Sequence, residues 1–442
     1  MEKGCSRRRG KRPRKTRIVH AGYYEERLMH RTHRRDVCAP RTARAVTEAH
    51  VAVVGAGAAG LSLARLLAEP PPGAERLTVV LIETPRARLR PPDRTWCYWS
   101  REPDELEAYT AASWGRIRVH GPSGRLVDSG IAPLRYRMIR SADYAREVGA
   151  RLDVCERVIR LDATVTAVED RPGGAVVRAV GPDGVAREVH VRWVFDTRPH
   201  PLPNARSVLL QHFRGWFVRT VHPAFEPGAA VLMDLRTAQP ERGLSFGYVL
   251  PFTSRSALVE YTEFSARPLS GAGYEAALHH YTRGVLRLGG FEVEAVEQGA
   301  IPMTDGCFSR RTGASVFRIG ASGGATRPST GYTFAAAQRQ VRAVADALFA
   351  GRTPLPPPAY SRRSRAMDAV LLRALDAGRL DGAAFFERLF TRNEAGRLLR
   401  FLDGDTTPLE DLRIGASAPV APMLRSAAEV PWLRRRVRNS GG

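Results

Sequence analysis

Between Val51 and Glu83 the chain changes hydrophobic rhythm three times. A β-branched run, Val51 to Val54, leads into Gly55-x-Gly57-x-x-Gly60, an apolar helical stretch from Leu61 to Leu67, and a second strand ending at Glu83. Strand, glycine turn, helix and strand in this order predict a dinucleotide-binding βαβ unit. Gly55 suits the tight turn, Gly57 allows backbone to approach a pyrophosphate, and Gly60 allows helix and sheet to pack closely. The helix start then offers free N–H groups to phosphate. Glu83 stands 23 positions after Gly60, where an acid can accept a ribose 2′-OH.

Further along, the pattern predicts other layers. The aromatic segment Asp93–Trp99 follows, then a helix after Arg140 (SADYAREVGARL). VIRLDATVTAVED and AVVRAVGPDGVAREVHVRWVFD, with RPGG and GPDG turns, read as a β-meander ending at Asp196. Residues 205–300 are strand-rich, broken by a helix near Tyr274 to Leu288. At Val316 strand, glycine-rich loop and helix return (VFRIGASGGATRPSTGYTFAAAQRQ), with Gly320, Gly324, Pro328 and Gly331 as candidate cofactor contacts. Ser329 and Thr330 are placed to cap the following helix. Two glycine-rich helix starts, at Gly55 and Gly320, suit an extended flavin dinucleotide better than a lone nicotinamide. The predicted class is α/β, a Rossmann-type FAD-binding domain (49–200 and 301–352) with an inserted antiparallel β-rich substrate domain (201–300). A basic disordered arm (1–48) precedes it and a helical C-terminal region (353–442) follows the proline-rich TPLPPPAY.

Composition changes this picture little. The chain has 442 residues, ample for two or three domains, and a net charge of +23. Lysine occurs only at Lys3, Lys11 and Lys15, so the basicity is arginine, as a GC-rich coding bias produces. The run CSRRRGKRPRKTR reads as a solvated arm, with an anchor to anionic lipid as the alternative; no nucleic-acid partner is expected. Cysteines 5, 38, 97, 155 and 307 form no C-x-x-C and the histidines no ligand spacing, so reduced thiols and no metal are expected. No apolar run reaches the ~18 residues of a spanning helix, and no signal peptide is expected.

The strings DRTWCYW, VFDTRP, LLQHFRGW, LMDLR, YVLPF with ALVEYTEFS, IPMTD, GGATRPSTGYTF and FFERLF…LRFLDGDT occur in the order seen in bacterial-type lycopene β-cyclases. The chain resembles that family over roughly residues 50–415. The resemblance implies redox-neutral closure of the linear ends of lycopene, or another linear carotenoid, to β-ionone rings (γ-carotene, β-carotene). It also implies reduced FAD with NAD(P)H as electron donor, and a cytoplasmic, peripherally membrane-associated enzyme. Ala321 follows Gly320 where many flavoproteins carry an acid, a lack shared with the cyclases. The alternative is a flavin-dependent monooxygenase or dehydrogenase acting on a lipophilic isoprenoid or aromatic substrate.

Closing such a ring requires protonating an alkene, and a desolvated glutamic acid is suited to this. The family's acidic motif falls on Glu260 and Thr262, making Glu260 the candidate catalytic acid. In the strand 256–265 only one of Glu260 and Glu263 can face a cavity, and Glu263 is expected to be solvated. Trp96, Trp99, Trp216, Tyr248 and Phe252 are candidate substrate-lining aromatics, able to favour a cation. Arg94 is placed for a flavin phosphate, or equally for an ion pair with Asp93 or Glu83; Asp196 is a minor cofactor-site candidate. LLRALDAGRL, FFERLF and VPWLRRRVRN mix apolar residues and arginine in a way that suits an interfacial helix.

Overall fold

The computed structural model describes residues 48–86, 89–90 and 92–436, so most of the expected basic arm lies outside the described residues. Strand β1 (Glu48–Val54) passes through the first glycine turn into α1 (Ala58–Ala68), and β2 (Val79–Glu83) returns parallel to β1. Next come β3 (Thr95–Arg101), β4 (Ala112–Trp114), β5 (Arg116–His120), β6 (Leu126–Gly130) and β7 (Leu134–Arg140). Helix α2 (Ser141–Asp153) leads to β8 (Val158–Asp162), β9 (Thr164–Arg171), β10 (Gly174–Val180) and β11 (Ala186–Asp196). The second half opens with β12 (Val208–Thr220), β13 (Ala229–Asp234), β14 (Leu244–Pro251) and β15 (Ser256–Ser265). Helix α3 (Gly271–His279), with a π-helical extension over His280–Val285, precedes β16 (Phe291–Thr304), β17 (Val316–Arg318) and α4 (Phe334–Phe349).

The first sheet has the order β8-β2-β1-β11-β10-β9, with β17 beside β11. Its β8, β2, β1, β11 and β17 run parallel, while β9 to β11 form the expected antiparallel meander. Alternate residues of β1 serve two cores, which is why the strand is apolar on both faces. Val51 and Val53 pack with α1 and α4, whereas Ala52 and Val54 pack with Val177 and Val191 of the meander. The late helix therefore does return beside the first one, and Gly320 lies against Ala59.

The second sheet has the order β16-β12-β15-β14-β13-β5-β6. One face meets α3 through Trp216, Val259, Tyr261, Tyr274 and Tyr281. The other meets the small β3-β7-β4 sheet and the C-terminal helices α5 (Arg362–Asp376), α6 (Gly382–Arg392) and α7 (Ala395–Asp403). Two further helices, α8 (Pro408–Gly415) and α9 (Val420–Glu429), follow.

Two expectations change here. The β5–β6 hairpin, expected in the first domain, belongs to the second sheet because β5 pairs in parallel with β13, far along the chain. FFERLF and LLRALDAGRL are core segments: Phe385, Phe386, Leu389, Phe390, Leu372 and Leu375 are buried. Of the three interfacial candidates, only VPWLRRRVRN leaves a large apolar side chain in solvent, Trp432 at 87% exposure. No helix among the described residues is long and apolar enough to cross a membrane.

A buried ion pair ties the late glycine loop to the C-terminal helices. Arg327 donates from Nε to Asp368 Oδ1 at 3.1 Å, and from Nη1 to the carbonyls of Phe401 and Leu402 near the end of α7. Ser329 donates to the same Asp368 oxygen at 2.7 Å. Both charges are out of solvent, so removing one leaves the other uncompensated. Asp368→Ala is expected to cost about 3–5 kcal/mol, read as a fall in the midpoint of thermal or urea unfolding; an unchanged midpoint would contradict this role.

Candidate active site

Strand register assembles the site. Gly215 of β12 faces Glu260 of β15 on one side and Glu297 of β16 on the other. Both carboxylates line a cavity of about 170 Å³, with Trp96, Tyr248, Thr262, Leu258, Phe246 and Tyr332 among its walls. Phe386, Phe390 and Leu402 from the C-terminal helices also line it. Strand alternation turns Glu260 and Thr262 to this side together with Leu258. Glu260 is only 8% exposed, and the Thr262 hydroxyl donates to its Oε1 at 2.6 Å. Burial first, and then the charge of Glu297, push the Glu260 carboxyl up to about 8, against the pull of Thr262. At neutral pH this is an acid holding its proton among apolar walls.

Glu297 was not among the expected site residues. Its Oε2 accepts from the Thr95 backbone N–H at 3.0 Å and from the Thr95 hydroxyl at 2.8 Å. Burial raises it too, opposed by those hydrogen bonds and by Arg140 and Arg94. In the acid-rich string EVEAVEQG nothing local marks it out. The available signal was Gly215, a glycine inside a strand, which points to a close approach.

The aromatic candidates separate. Trp96 and Tyr248 line the cavity; Tyr248 and Tyr136 share a hydroxyl hydrogen bond of 2.6 Å, and Tyr332 stands 3.5 Å from Tyr136. Cys97 lies in the same wall, its thiol pushed up to about 12, chiefly by burial. Trp99 lies behind the wall, with its ring edge-on to Tyr332 at 4.7 Å. Phe252 stacks on Phe217 at 6.1 Å and does not line the cavity. Trp216 is a correction: it pairs with Val259, and so lies on the α3 face, lining a separate groove. Glu263 is a second correction, since it is buried. It accepts from the Tyr261 hydroxyl at 2.9 Å and sits near His212, which is itself bonded to Tyr274.

At the dinucleotide turn the three glycines differ. Gly55 has φ +98, and a Cβ there would stand 2.3 Å from Thr197 Oγ1. A Cβ on Gly60 would stand 1.9 Å from the Gly55 carbonyl oxygen, so helix and turn could not close. Gly57 needs no special φ, and a Cβ there would meet no protein atom within 4 Å. The space beside it, at the amide-rich start of α1, fits a pyrophosphate. Glu83 ends β2 half-buried, with Arg90 Nε at 3.7 Å. Arg94 has Glu297 as its electrostatic partner, and its Nε is buried with no hydrogen bond. Thr330 Oγ1 and Gln211 Oε1 are likewise buried without partners, beside Gly331 in the late loop. Polar atoms that the chain leaves unsatisfied fit a polar cofactor such as FAD. Gly320 and Gly324 bound a single 3-10 turn, and Pro328 lies between the buried residues Arg327 and Ser329.

Two expectations for these loops change. Asp196 is engaged by Arg198, through the backbone N–H and the guanidinium, and lies 3.3 Å from His200, which gives it a local structural role. Ser329 bonds Asp368, and α4 begins at Phe334 with no side-chain cap, so the expected capping by Ser329 and Thr330 does not occur.

Known structures share this fold. p-Nitrophenol 4-monooxygenase PnpA from Pseudomonas putida DLL-E4 is similar at TM-score 0.54 and 15% identity, over 88% of this chain and 100% of that one. A geranylgeranyl bacteriochlorophyll reductase-like protein from Thermoplasma acidophilum is similar at TM-score 0.53 and 14% identity, over 87% and 97%. A flavoprotein/dehydrogenase from Cytophaga hutchinsonii matches at 0.54 and 12%, over 87% and 99%. At such identities the likeness is one of fold. No curated protein matches by sequence. The family model described as Lycopene cyclase protein matches residues 50–428, and the chain belongs to that family.

Gly57→Val should leave the fold intact and abolish FAD retention, because its side chain would fill the open space beside the turn. Flavin absorbance of the purified variant, beside its circular dichroism, checks this; full flavin content would contradict the assignment.

Proposed function

We propose that the protein closes the linear ends of lycopene, or another linear carotenoid, into β-ionone rings by acid–base catalysis without net redox change. The observation that carries this reading is Glu260, a carboxyl group kept protonated by burial on the wall of an aromatic cavity. An alkene is a weak base, so its protonation needs an acid shielded from water. Thr262 orients the Glu260 carboxyl, and its hydroxyl can then stabilise the carboxylate left after proton transfer. Trp96, Tyr248 and Tyr332 line the cavity, and a cation over an aromatic face gains about 0.5–2 kcal/mol. The same carboxylate then removes a proton from the ring cation and returns to its starting state.

Gly57, the start of α1, Glu83, Arg94 and the late loop from Gly320 to Gly331 are the residues that would hold FAD. Reduced FAD, with NAD(P)H as the donor, supplies electron density that favours positive charge nearby. Peripheral membrane contact is part of the proposal, because the substrate dissolves in lipid. Its support is the exposed Leu409, Leu412, Val420, Leu424 and Trp432 on and after α8 and α9, with Arg413, Arg425 and Arg434 beside them in sequence.

Expression in a lycopene-accumulating bacterium is expected to convert the pigment into a cyclic isomer of equal mass. Added oxygen or lost hydrogen would favour a monooxygenase or dehydrogenase instead. Glu260→Gln is expected to retain FAD and lose ring formation by at least about 10²-fold; wild-type rates would remove Glu260 from the chemistry. The acid must be protonated to act, so activity is expected on the acid side and should fall as pH rises through about 8. A rate that climbs above that pH would contradict the role.

A further inference from the structure

Two carboxylates face one small cavity, and their surroundings are unequal. Among the described residues Glu260 has one hydrogen bond, from Thr262, and it shares the cavity wall with Leu258, Phe246 and Tyr248. Glu297 has two donors from Thr95 on a single oxygen, with Arg94 and Arg140 among its charged neighbours. Gly215 separates them: a Cβ there would stand 3.4 Å from Glu297 Cγ, 3.5 Å from Glu260 Cβ and 2.8 Å from Leu258 Cδ1. The remaining titratable groups around the pair are Cys97, Tyr136, Tyr248 and Tyr332, all held neutral by burial.

We propose that Glu297 is the fixed anion of this site, which keeps the proton on Glu260 and balances the ring cation once that proton has been given away. The inference rests on the ring-closing reading above and adds a second residue to it. Two buried acids on one cavity do not readily ionise together, and the one with more hydrogen-bond donors ionises first. That one is Glu297, with its backbone and hydroxyl donors and its guanidinium neighbours. The steps balance. The alkene π pair takes the Glu260 proton and forms a C–H bond, and the neighbouring double bond then forms the ring C–C bond. A ring C–H proton finally returns to Glu260 as its electron pair becomes the new double bond. While the cation exists, both Glu260 and Glu297 are anionic around it. Their mutual repulsion drives the proton's return, and no electrons leave or enter.

The test uses the full-length, FAD-loaded protein. Glu297→Gln is expected to keep FAD, lower the maximal rate about tenfold, and move the basic limb of the pH–rate profile down by roughly one pH unit or more. Glu297→Asp, which preserves the charge, should hold the limb close to wild type. A substrate-free readout separates this proposal from the function it rests on: NMR titration of ¹³C-labelled glutamate carboxyls, with Glu260 assigned by Glu260→Gln. Glu260 should titrate at lower pH in Glu297→Gln than in wild type, whether or not the protein closes rings. An unchanged Glu260 titration would overturn the proposal, as would a rate loss in Glu297→Gln with an unmoved basic limb. Absence of ring closure in the wild type, with the titration shift intact, would instead overturn the cyclase reading.

Discussion

A carboxyl group that keeps its proton inside an apolar cavity is the constraint around which the second half of this chain is arranged. Water at Glu260 would ionise it. The C-terminal helices supply Phe386, Phe390 and Leu402 to the cavity lining, and the small β3-β7-β4 sheet supplies Trp96, Cys97 and Tyr136. Each of these elements is remote in sequence from Glu260. Their joint packing explains why a helical region that looks surface-active in sequence is instead core.

The site is also a junction between the two halves of the molecule. Thr95 begins β3 just after the dinucleotide unit, yet its N–H and hydroxyl hold Glu297 at the far edge of the second sheet. The late glycine loop carries unsatisfied Thr330 toward the same cavity, while Arg327 in that loop anchors α5 and α7. On the proposed reading, the cofactor-binding loop and the acid thus border one cavity. Displacing the loop would disturb both together.

What was legible in the sequence was what is local. The βαβ unit shows itself because glycine spacing, strand and helix lie within about thirty residues and each glycine has its own steric reason. The late strand-loop-helix was legible for the same reason, and the inward face of β15 followed from alternation. Pairings made far along the chain were not legible. Glu297 reaches the cavity only through the β12–β16 register, and β5–β6 joins the second sheet only because β5 lies against β13. Trp216 was misplaced because its face depends on the register with Val259, and Glu263 because α3 covers the face on which it lies. An aromatic or an acid announces its chemistry, but register decides which room it enters.

The proton is the most direct handle on the account. If Glu260 gives a solvent-exchanged proton to the alkene and a different hydrogen is then removed, reaction in D₂O must leave its mark on the product. Mass spectrometry of carotenoid formed by the reduced, purified protein in D₂O should show one added deuterium for each ring closed. Rings formed with no deuterium would contradict proton donation by an exchangeable acid.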